Sequence, residues 1–232
     1  MIQRRILLGV LALTAGVLAG CDSEPDTSGP LPDGAALLRD AAEATRGMSS
    51  AHFKLQVNGK IPGVTVQNAE GDLNREGGAK GKAKVDFGGS LIEAEFVLVD
   101  KKLYLKGPTG DFQELPASMG ASIYDPSVIL NPDQGIAKVL ASITSPKTEA
   151  REKVMGIDTY RVSGKVTKDV VSPLVPGITT DVDIKFWLRE DGKHQPVRAW
   201  FQLPPERDGA GASMVEMELS DVDKPVTVTP PA

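Results

Sequence analysis

Segments in which apolar and polar residues alternate constrain the fold of this chain more than any other feature of its sequence. The alternation runs through residues 53–57, 83–87, 92–99, 182–188, 197–203 and 215–219. A period of two places one face of a strand in water and the other in a core, which is typical of antiparallel sheets. Asp100-Lys101-Lys102 predicts a hairpin turn into a further strand at residues 103–105. The sequence therefore predicts one large antiparallel sheet.

Helical spacing interrupts the strands. Asp33 is a candidate N-cap for a helix over residues 34–46, and Asn131-Pro132 is typical of the start of a second helix. A weaker helix is predicted after Thr167. Because helices and strands are not in regular alternation, the expected class is α+β, with helices lying against the apolar face of the sheet.

The second predicted helix carries an apolar stripe. Ile136, Val139, Leu140 and Ile143 follow the i, i+3, i+4, i+7 spacing that places side chains on one helix face. Such a stripe can pack into a filled core or form the wall of a cavity. The sequence leaves both interpretations open.

The N-terminal segment predicts export and a lipid anchor. Arg4 and Arg5 precede an uncharged run at residues 6–19, which is shorter than a membrane-spanning helix and fits a signal peptide. Leu18-Ala19-Gly20-Cys21 resembles the lipobox of bacterial lipoproteins at all four positions, which implies acylation of Cys21 and cleavage before it. Cys21 is the one cysteine of the chain, so it cannot form an internal disulfide. The alternative is a secretory signal followed by a chance cysteine.

Composition divides the chain into three parts. We expect a signal peptide at residues 1–20, the acylated cysteine and a flexible tether at residues 21–32, and a single domain at residues 33–232. The tether is rich in Pro, Ser, Gly and Asp and has too little apolar surface to fold. The net charge of −5 becomes −7 without the signal peptide, because Arg4 and Arg5 leave with it. The negative net charge of the domain argues against a nucleic-acid partner.

No motif of the sequence indicates catalysis. The chain has two histidines, His52 and His194, which are far apart, and its cysteine is assigned to lipid. Nucleophile motifs, phosphate-binding glycine loops and metal-ligand spacings are missing from the sequence. We therefore expect no enzyme activity, no metal and no cofactor.

Two sets of residues allow a functional and a structural interpretation. The pairs Glu93/Glu95 and Glu216/Glu218 are either a solvated sheet face or a general acid/base pair. Trp187 and Trp200 lie on the polar side of neighbouring strands and either form a cross-strand pair or contact a membrane or partner. The structural interpretation is the simpler one in both cases.

Three segments resemble one family of exported proteins. They are SAHFKLQVNGKIPG at residues 50–63, IYDPSVILNPDQGIAKVLASI at residues 123–143 and VSGKV at residues 162–166. They closely resemble the LppX/LprG-type lipoproteins of mycobacteria and other actinobacteria, and the likeness covers nearly the whole mature chain. The resemblance implies a half-barrel, in which a strongly curved antiparallel sheet and helices on its concave face enclose an apolar cavity for acyl chains.

The same resemblance implies a function. The expected cargo is multi-acylated lipid or glycolipid: triacylglycerol, phosphatidylinositol mannosides, lipomannan or lipoarabinomannan. The expected carrier is a monomer on the outer, periplasmic side of the cell membrane. Part of the protein is expected in the cell wall or in the medium after secretion. It would move cargo from the inner membrane toward the outer envelope, with a major-facilitator efflux transporter as partner.

The resemblance and the alternation together assign the cavity wall to inward-facing residues of the strands and helices. The set is Phe53, Leu55, Val57, Ala83, Val85, Phe87, Phe96, Leu98, Ile129, Ile136, Val139, Leu140, Ile143, Val182, Ile184 and Phe186. The competing hypothesis is a lipid-anchored interaction or scaffold protein of the envelope, with a filled core and no lipid cargo.

Overall fold

A computed structural model describes residues 24–115, 126–205 and 211–231. The strands of the described residues are β1 Ser50–Asn58, β2 Val66–Asn74, β3 Ala79–Phe87, β4 Ser90–Val99, β5 Lys102–Lys106, β6 Gln113–Leu115, β7 Thr144–Val154, β8 Ile157–Val166, β9 Val182–Arg189, β10 Pro196–Leu203 and β11 Ser213–Ser220. Their helices are α1 Gly34–Gly47, a 3₁₀ helix Pro126–Leu130, α2 Ile136–Ser142 and α3 Lys168–Val171.

The strands form one open antiparallel sheet in the order β6-β5-β4-β3-β2-β1-β11-β10-β9-β8-β7. Two meanders, β1 to β6 and β7 to β11, meet where β1 pairs with β11. Because all neighbours are antiparallel, the sheet has two distinct ends. The Asn58 end also carries Val66 and Ser213, and the Val154 end also carries Asn74 and Pro196.

Helices cover the concave face of the sheet. Asp33 caps α1, accepting a hydrogen bond of 2.8 Å from the Ala36 N–H at its Oδ1. The buried face of α1 includes Leu37, Leu38 and Ala41 and packs with α2. Buried residues of the helices and of strands from both meanders join in a single hydrophobic core. The predicted class, a curved antiparallel half-barrel with helices on its concave face, is confirmed.

A glycine pair allows β2 and β3 to approach closely. Gly71 and Gly81 are partners in the β2–β3 register. A Cβ at Gly71 would lie 2.2 Å from the Lys80 carbonyl oxygen, and a Cβ at Gly81 would lie 2.1 Å from that of Glu70. Glycine in a strand interior is typical of such close backbone approaches.

Several predicted elements are confirmed. Helix α1 follows its Asp33 cap, and α3 follows Thr167. Asp100 and Lys101 both have positive φ, 52° and 61°, in the predicted hairpin turn between β4 and β5. Positive φ at both central residues defines the turn that fits the right-handed twist of a hairpin.

The start predicted for the second helix is wrong. The Asn131 Oδ1 accepts hydrogen bonds of 2.9 and 3.1 Å from the N–H groups of Asp133 and Gln134, so Asn131 caps a turn rather than a long helix. Helix α2 begins only at Ile136, after Gly135. Ile143, the last member of the predicted stripe, lies just beyond its end.

Candidate functional site

An apolar pocket lies between the first meander and the 3₁₀ helix. Its volume is about 50 Å³. The described residues of its wall are all apolar: Phe53, Val66, Ala69, Ala83, Val85, Ile92, Ala94, Phe96, Leu103, Leu105 and Pro126. None of these described wall residues carries a polar side chain. What the pocket can hold is an apolar group.

Three alanines create the space on the sheet side of the pocket. Ala83 of β3 is paired with Ala69 of β2 on one side and with Ala94 of β4 on the other. All three border the pocket. A row of larger side chains at these register positions would fill the space above the sheet, so the alanines keep the pocket open.

Two aromatic rings bound the pocket deeper in the sheet. Phe53 of β1 and Phe96 of β4 are buried, and their ring centroids are 6.5 Å apart. Beyond them, toward the Val154 end, Leu73 and Ala79 are fully buried in the core. The pocket is therefore closed at its inner side by ordinary core packing.

The wall becomes more exposed from β1 toward β5. Phe53 of β1 and Val66 and Ala69 of β2 are buried. On the later strands, Ile92 and Ala94 of β4 and Leu103 and Leu105 of β5 are half-buried. Among the described residues, exposure of the pocket wall thus increases toward the edge of the first meander.

The residues predicted to line the cavity fall into three groups. Phe53, Ala83, Val85 and Phe96 border the pocket. The side chain of Phe87 lies outside the described part of the structure. The others pack in or against the hydrophobic core and do not border the pocket: Leu55, Val57, Leu98, Ile129, Ile136, Val139, Leu140, Ile143, Val182, Ile184 and Phe186.

Sequence reasoning did not assign the remaining wall residues. Ile92, Ala94, Leu103 and Leu105 stand at apolar positions of predicted strands, so their alternation already marked them as inward-facing. Strand β2, which contributes Val66 and Ala69, was not predicted. Its apolar positions are held partly by Ala69 and Gly71, which carry little hydrophobic signal.

The convex face of the sheet carries an ion-pair network. Glu149 of β7 accepts hydrogen bonds from Arg161 Nε at 2.9 Å and from Lys185 Nζ at 3.0 Å. The pKa of Glu149 lies below its ordinary value: burial is the largest effect and raises it, but hydrogen bonds from Ser163 and Lys185 and the charges of Lys185 and Arg161 together outweigh burial. The network therefore favours the carboxylate form.

Glu216 and Glu218, one of the two carboxylate pairs singled out in the sequence, also belong to ion pairs. Arg198 lies between them, with Nε 3.2 Å from Glu216 Oε1 and Nη2 2.7 Å from Glu218 Oε1. In the other pair, Glu95 lies 3.9 Å from Lys106 Nζ. These contacts favour the structural interpretation of both pairs as a charged outer face.

The two tryptophans form the predicted cross-strand pair. Their ring centroids are 4.6 Å apart, and Trp187 is only 2% exposed. Trp187 Nε1 donates a hydrogen bond of 2.6 Å to Glu152 Oε1. Together with Val154 and Val197, the pair forms a small second hydrophobic cluster on the sheet. Trp187 is thus buried, and Trp200 packs half-buried against it.

The histidines have local partners. His52 Nδ1 lies 2.8 Å from Asp72 Oδ1, and His194 Nδ1 lies 2.8 Å from the carbonyl oxygen of Arg189. Within residues 24–115, 126–205 and 211–231, no group of three or more His, Cys, Asp or Glu side chains could hold a metal ion. Across those same ranges, no helix combines the length and hydrophobicity that a membrane span requires.

Residues 24–32 lie along the edge strand β7. Asp26 exchanges two backbone hydrogen bonds with Arg151, of 2.7 and 2.8 Å. Arg151 Nη2 donates to the Pro30 carbonyl at 2.7 Å, and Thr148 Oγ1 donates to that of Pro32 at 2.8 Å. The part of the tether that the structure describes is therefore docked on the domain.

An open, strongly curved antiparallel sheet with helices and an apolar pocket on its concave side is the fold class that these features define. The chain belongs to the LppX_LprAFG lipoprotein family, whose model matches residues 33–228.

Curated relatives agree with this assignment over almost their full length. The chain is 38% identical over 233 residues to "Lipoarabinomannan carrier protein LprG" of Mycobacterium tuberculosis (strain ATCC 25618 / H37Rv), covering 99% of this chain and 95% of the relative. It is 37% identical to the protein of that name from Mycolicibacterium smegmatis, covering 97% and 95%.

Solved structures show the same fold. LprF from Mycobacterium bovis superposes with a TM-score of 0.74 at 26% identity, covering 88% of this chain and all of LprF. The Mycobacterium tuberculosis lipoprotein LppX superposes with a TM-score of 0.63 at 21% identity, covering 84% and 97%. The predicted family is thus confirmed by both sequence and fold.

Proposed function

We propose that this protein is a membrane-anchored carrier that binds the acyl chains of multi-acylated lipids and glycolipids in the apolar pocket. The candidate cargoes are triacylglycerol, phosphatidylinositol mannosides, lipomannan and lipoarabinomannan. The carrier would work on the outer, periplasmic side of the cell membrane and deliver cargo toward the outer envelope, with a major-facilitator efflux transporter as partner. Part of the protein would reach the cell wall or the medium.

The apolar wall that the described residues form around the pocket is the observation that carries this proposal. Exposing an acyl chain to water costs about 0.8 kcal/mol for each methylene, so a carrier must enclose the chains while a polar head stays outside. The LprG relatives are named as lipoarabinomannan carriers, which supports a glycolipid cargo for this chain as well.

The pocket must enlarge to accept such cargo. Its volume of about 50 Å³ is well below the roughly 300–1,000 Å³ of ordinary ligand pockets. The sheet side of the wall is fixed by strand pairing, whereas the described wall residue on the opposite side is Pro126 of the 3₁₀ helix. Separation of the 3₁₀ helix from β2 would therefore be the motion that makes room for acyl chains.

Membrane attachment completes the proposed carrier. Acylation of Cys21 would hold the protein at the bilayer from which it loads, since two or more acyl chains anchor a protein stably. The body would act as a monomer. Its cargo would thus never have to diffuse through water to reach the protein.

The small volume of the pocket also favours a second candidate, a lipid-anchored interaction or scaffold protein with a filled core. Strands β8 to β10 already show this kind of packing, since Val162, Ile184, Phe186 and Phe201 are at most 1% exposed. In this alternative, the pocket in the first meander would be a packing defect without a ligand.

A transfer assay separates the two candidates. Residues 22–232, produced without acylation, are added to phosphatidylcholine vesicles that contain self-quenched fluorescent triacylglycerol, together with unlabelled acceptor vesicles. A carrier dequenches the probe by moving it, at a rate that rises in proportion to protein concentration. A rate equal to that without protein would contradict the carrier proposal and leave the scaffold.

A further inference from the structure

A polar groove crosses the convex face of the first meander. It consists of two adjoining depressions, of about 400 and 380 Å³, which share Glu70 of β2 and Lys82 of β3 as wall residues. Both volumes lie within the roughly 300–1,000 Å³ of ordinary ligand pockets. Because Lys82 and Ala83 are consecutive in β3, Lys82 points away from the apolar pocket that Ala83 borders. The groove and the pocket therefore occupy opposite faces of the same strands.

Charges of alternating sign follow one another along the groove. A row of cross-strand partners runs from β11 through β1, β2, β3 and β4 to β5, over a length of about 24 Å at about 4.8 Å between strands. Its members are, in order, Glu218, Lys54, Glu70, Lys82, Glu95 and Lys106. All of them except Lys106 border the groove. Amino groups that donate hydrogen bonds and carboxylates that accept them thus alternate across the sheet.

The central charges of the row are not used in contacts with one another. Among the described residues, Lys54, Glu70 and Lys82 form no ion pair and no side-chain hydrogen bond. By contrast, the network around Glu149 on the second meander is closed by contacts of 2.9 and 3.0 Å. The three central side chains are exposed, so their polar groups are available to a ligand.

The mixture of signs selects the class of ligand. An anion in the groove would lie close to the carboxylates, and a cation would lie close to the ammonium groups. A hydroxyl group both donates and accepts hydrogen bonds, so the hydroxyls of a sugar can donate to a carboxylate and accept from an ammonium group. A neutral oligosaccharide therefore fits this groove better than an ion of either sign.

An aromatic ring stands at one end of the groove. Phe112 immediately precedes β6, borders the second depression and is half-buried. Lys106 Nζ, at the end of the charged row, lies 5.6 Å from the centroid of this ring. An aromatic ring beside polar groups offers apolar contact area, which the C–H face of a sugar ring can cover. Phe112 thus adds the apolar contact that the charged row lacks.

The groove and the pocket extend to the same edge of the sheet. On the concave face, Leu103 and Leu105 of β5 are half-buried wall residues of the pocket. On the convex face, Phe112 borders the groove beside β6. Among the described strands, only β6 lies beyond β5 at this edge. The head of a lipid whose acyl chains lie in the pocket could therefore reach the groove by passing around a single strand.

We propose that the groove binds the oligosaccharide head of a glycolipid whose acyl chains occupy the pocket. This inference rests on the proposed function, since it assumes a lipid cargo in the pocket. It adds a basis for selection to that function. The pocket accepts acyl chains of any lipid, whereas the groove distinguishes a glycolipid from a lipid without sugars.

Two lipids that differ only in their sugars test the inference. The probes are phosphatidylinositol and phosphatidylinositol hexamannoside with the same acyl chains, and the protein is residues 22–232 produced without acylation. Displacement of a fluorescent fatty acid measures both dissociation constants. Because the phosphate and the acyl chains are shared, the difference reports the sugars alone. We expect the wild type to bind the hexamannoside about tenfold or more tightly than phosphatidylinositol.

A double variant removes the centre of the groove without changing the net charge. Glu70→Ala/Lys82→Ala is expected to reduce the preference for the hexamannoside to about threefold or less and to bind phosphatidylinositol like the wild type, because both side chains lie opposite the pocket. The matched control is Glu43→Ala/Lys138→Ala, which makes the same change at exposed positions of α1 and α2. It should keep the wild-type preference. Thermal melts show that both variants are folded.

Soluble mannohexaose, which has no acyl chains, tests the groove separately from the pocket. We expect it to shift the amide NMR signals of Lys54, Glu70 and Lys82 in the wild type. Equal binding of the two lipids by the wild type, or a preference that survives in the groove variant, would overturn the inference. If neither lipid bound, the proposed function would fail. Mannohexaose shifts at the groove would then still support a sugar site there, and their absence would overturn the inference as well.

Discussion

At the scale of single residues, alanines distinguish the pocket from the filled core. Ala79 and Ala83 lie on the same face of β3, two positions of the alternation apart. Ala79 is fully buried, whereas Ala83 is half-buried and borders the pocket. The same substitution at the two positions therefore meets packed atoms in one case and open space in the other.

Ala83→Leu is expected to leave stability nearly unchanged and to weaken binding of acylated lipid about tenfold or more. The added isobutyl group would displace two or three methylenes of an acyl chain, each worth about 0.8 kcal/mol. Ala79→Leu, the matched control, is expected to destabilise by about 1–3 kcal/mol through overpacking. Thermal melts and a fluorescent-lipid titration measure both effects. Equal destabilisation by the two variants would argue that Ala83 lies in an ordinary core.

Glu149 gives the ion-pair network a pH dependence of known sign. Its lowered pKa means that the folded state favours the carboxylate more strongly than the unfolded chain does. This contribution is complete above the ordinary value of 4.5 and is lost as pH falls through the folded-state pKa. We expect Glu149→Gln to be less stable than wild type at pH 7 and the difference to shrink between pH 5 and pH 3.

Urea denaturation at each pH measures this difference. Glu152, whose Oε1 lies 3.0 Å from Nη1 of Arg161 in the same network, remains in both proteins, so subtracting the two curves isolates Glu149 to first order. A difference that stayed constant over the whole pH range would show that Glu149 contributes only its shape and hydrogen bonds.

Some of these residues could be predicted from sequence and others could not. Alternation places Ala83, Val85 and Phe96 on the inner face, because side-chain direction in a strand depends only on position. Whether an inner-face residue meets a cavity or a packed neighbour depends on what covers the sheet. Ile184 and Phe186 follow the same alternation, yet they pack in the filled core.

At the scale of elements, the glycine pair at Gly71 and Gly81 leaves the least room for a side chain in the first meander. Gly81→Ala would place a Cβ against the Glu70 carbonyl oxygen, which is backbone and cannot rotate away. We expect a loss of stability of about 2 kcal/mol or more, measured by chemical denaturation. Gly107→Ala is the control, because no atom lies within 4 Å of its Cβ position. Equal stability of Gly81→Ala and wild type would show that β2 and β3 can separate at no cost.

Elements with strong local signals were predictable, and elements that depend on the sheet were not. Strands β3, β4, β9, β10 and β11 alternate clearly, and α1 has a capping residue and an apolar face. Strand β7 carries Thr148 and Ala150 on its buried face and contains Pro146, so it lacks a strand signal of its own. It forms because β8 offers a free edge on which it can pair.

At the scale of the whole molecule, one sheet combines two different interiors. The second meander and helices α1 to α3 form a filled core, whereas the first meander keeps an apolar pocket beneath the 3₁₀ helix. A rigid half can preserve the fold while the other half changes volume. In the proposed carrier, this division would allow the pocket to enlarge around a cargo much larger than its volume of about 50 Å³.

The docked tether is the feature of the whole molecule that could not be predicted from the sequence. Resemblance to a family predicted the half-barrel, and the match over residues 33–228 confirms that family. It could not predict that the tether docks on β7, because the tether contributes only backbone N–H and C=O groups to these hydrogen bonds and therefore shows no side-chain pattern. Docking of this kind can be recognised only when the structure shows which strand lies at the edge of the sheet.

Native mass spectrometry of residues 22–232, purified from an actinobacterial host without detergent, shows whether the chain carries a lipid. We expect a second species heavier than the chain by the mass of one multi-acylated lipid, abundant in wild type and in folded Ala79→Leu, and depleted in Ala83→Leu. The contradicting result is a wild-type chain that carries no lipid and takes none up when incubated with phosphatidylinositol mannoside or triacylglycerol.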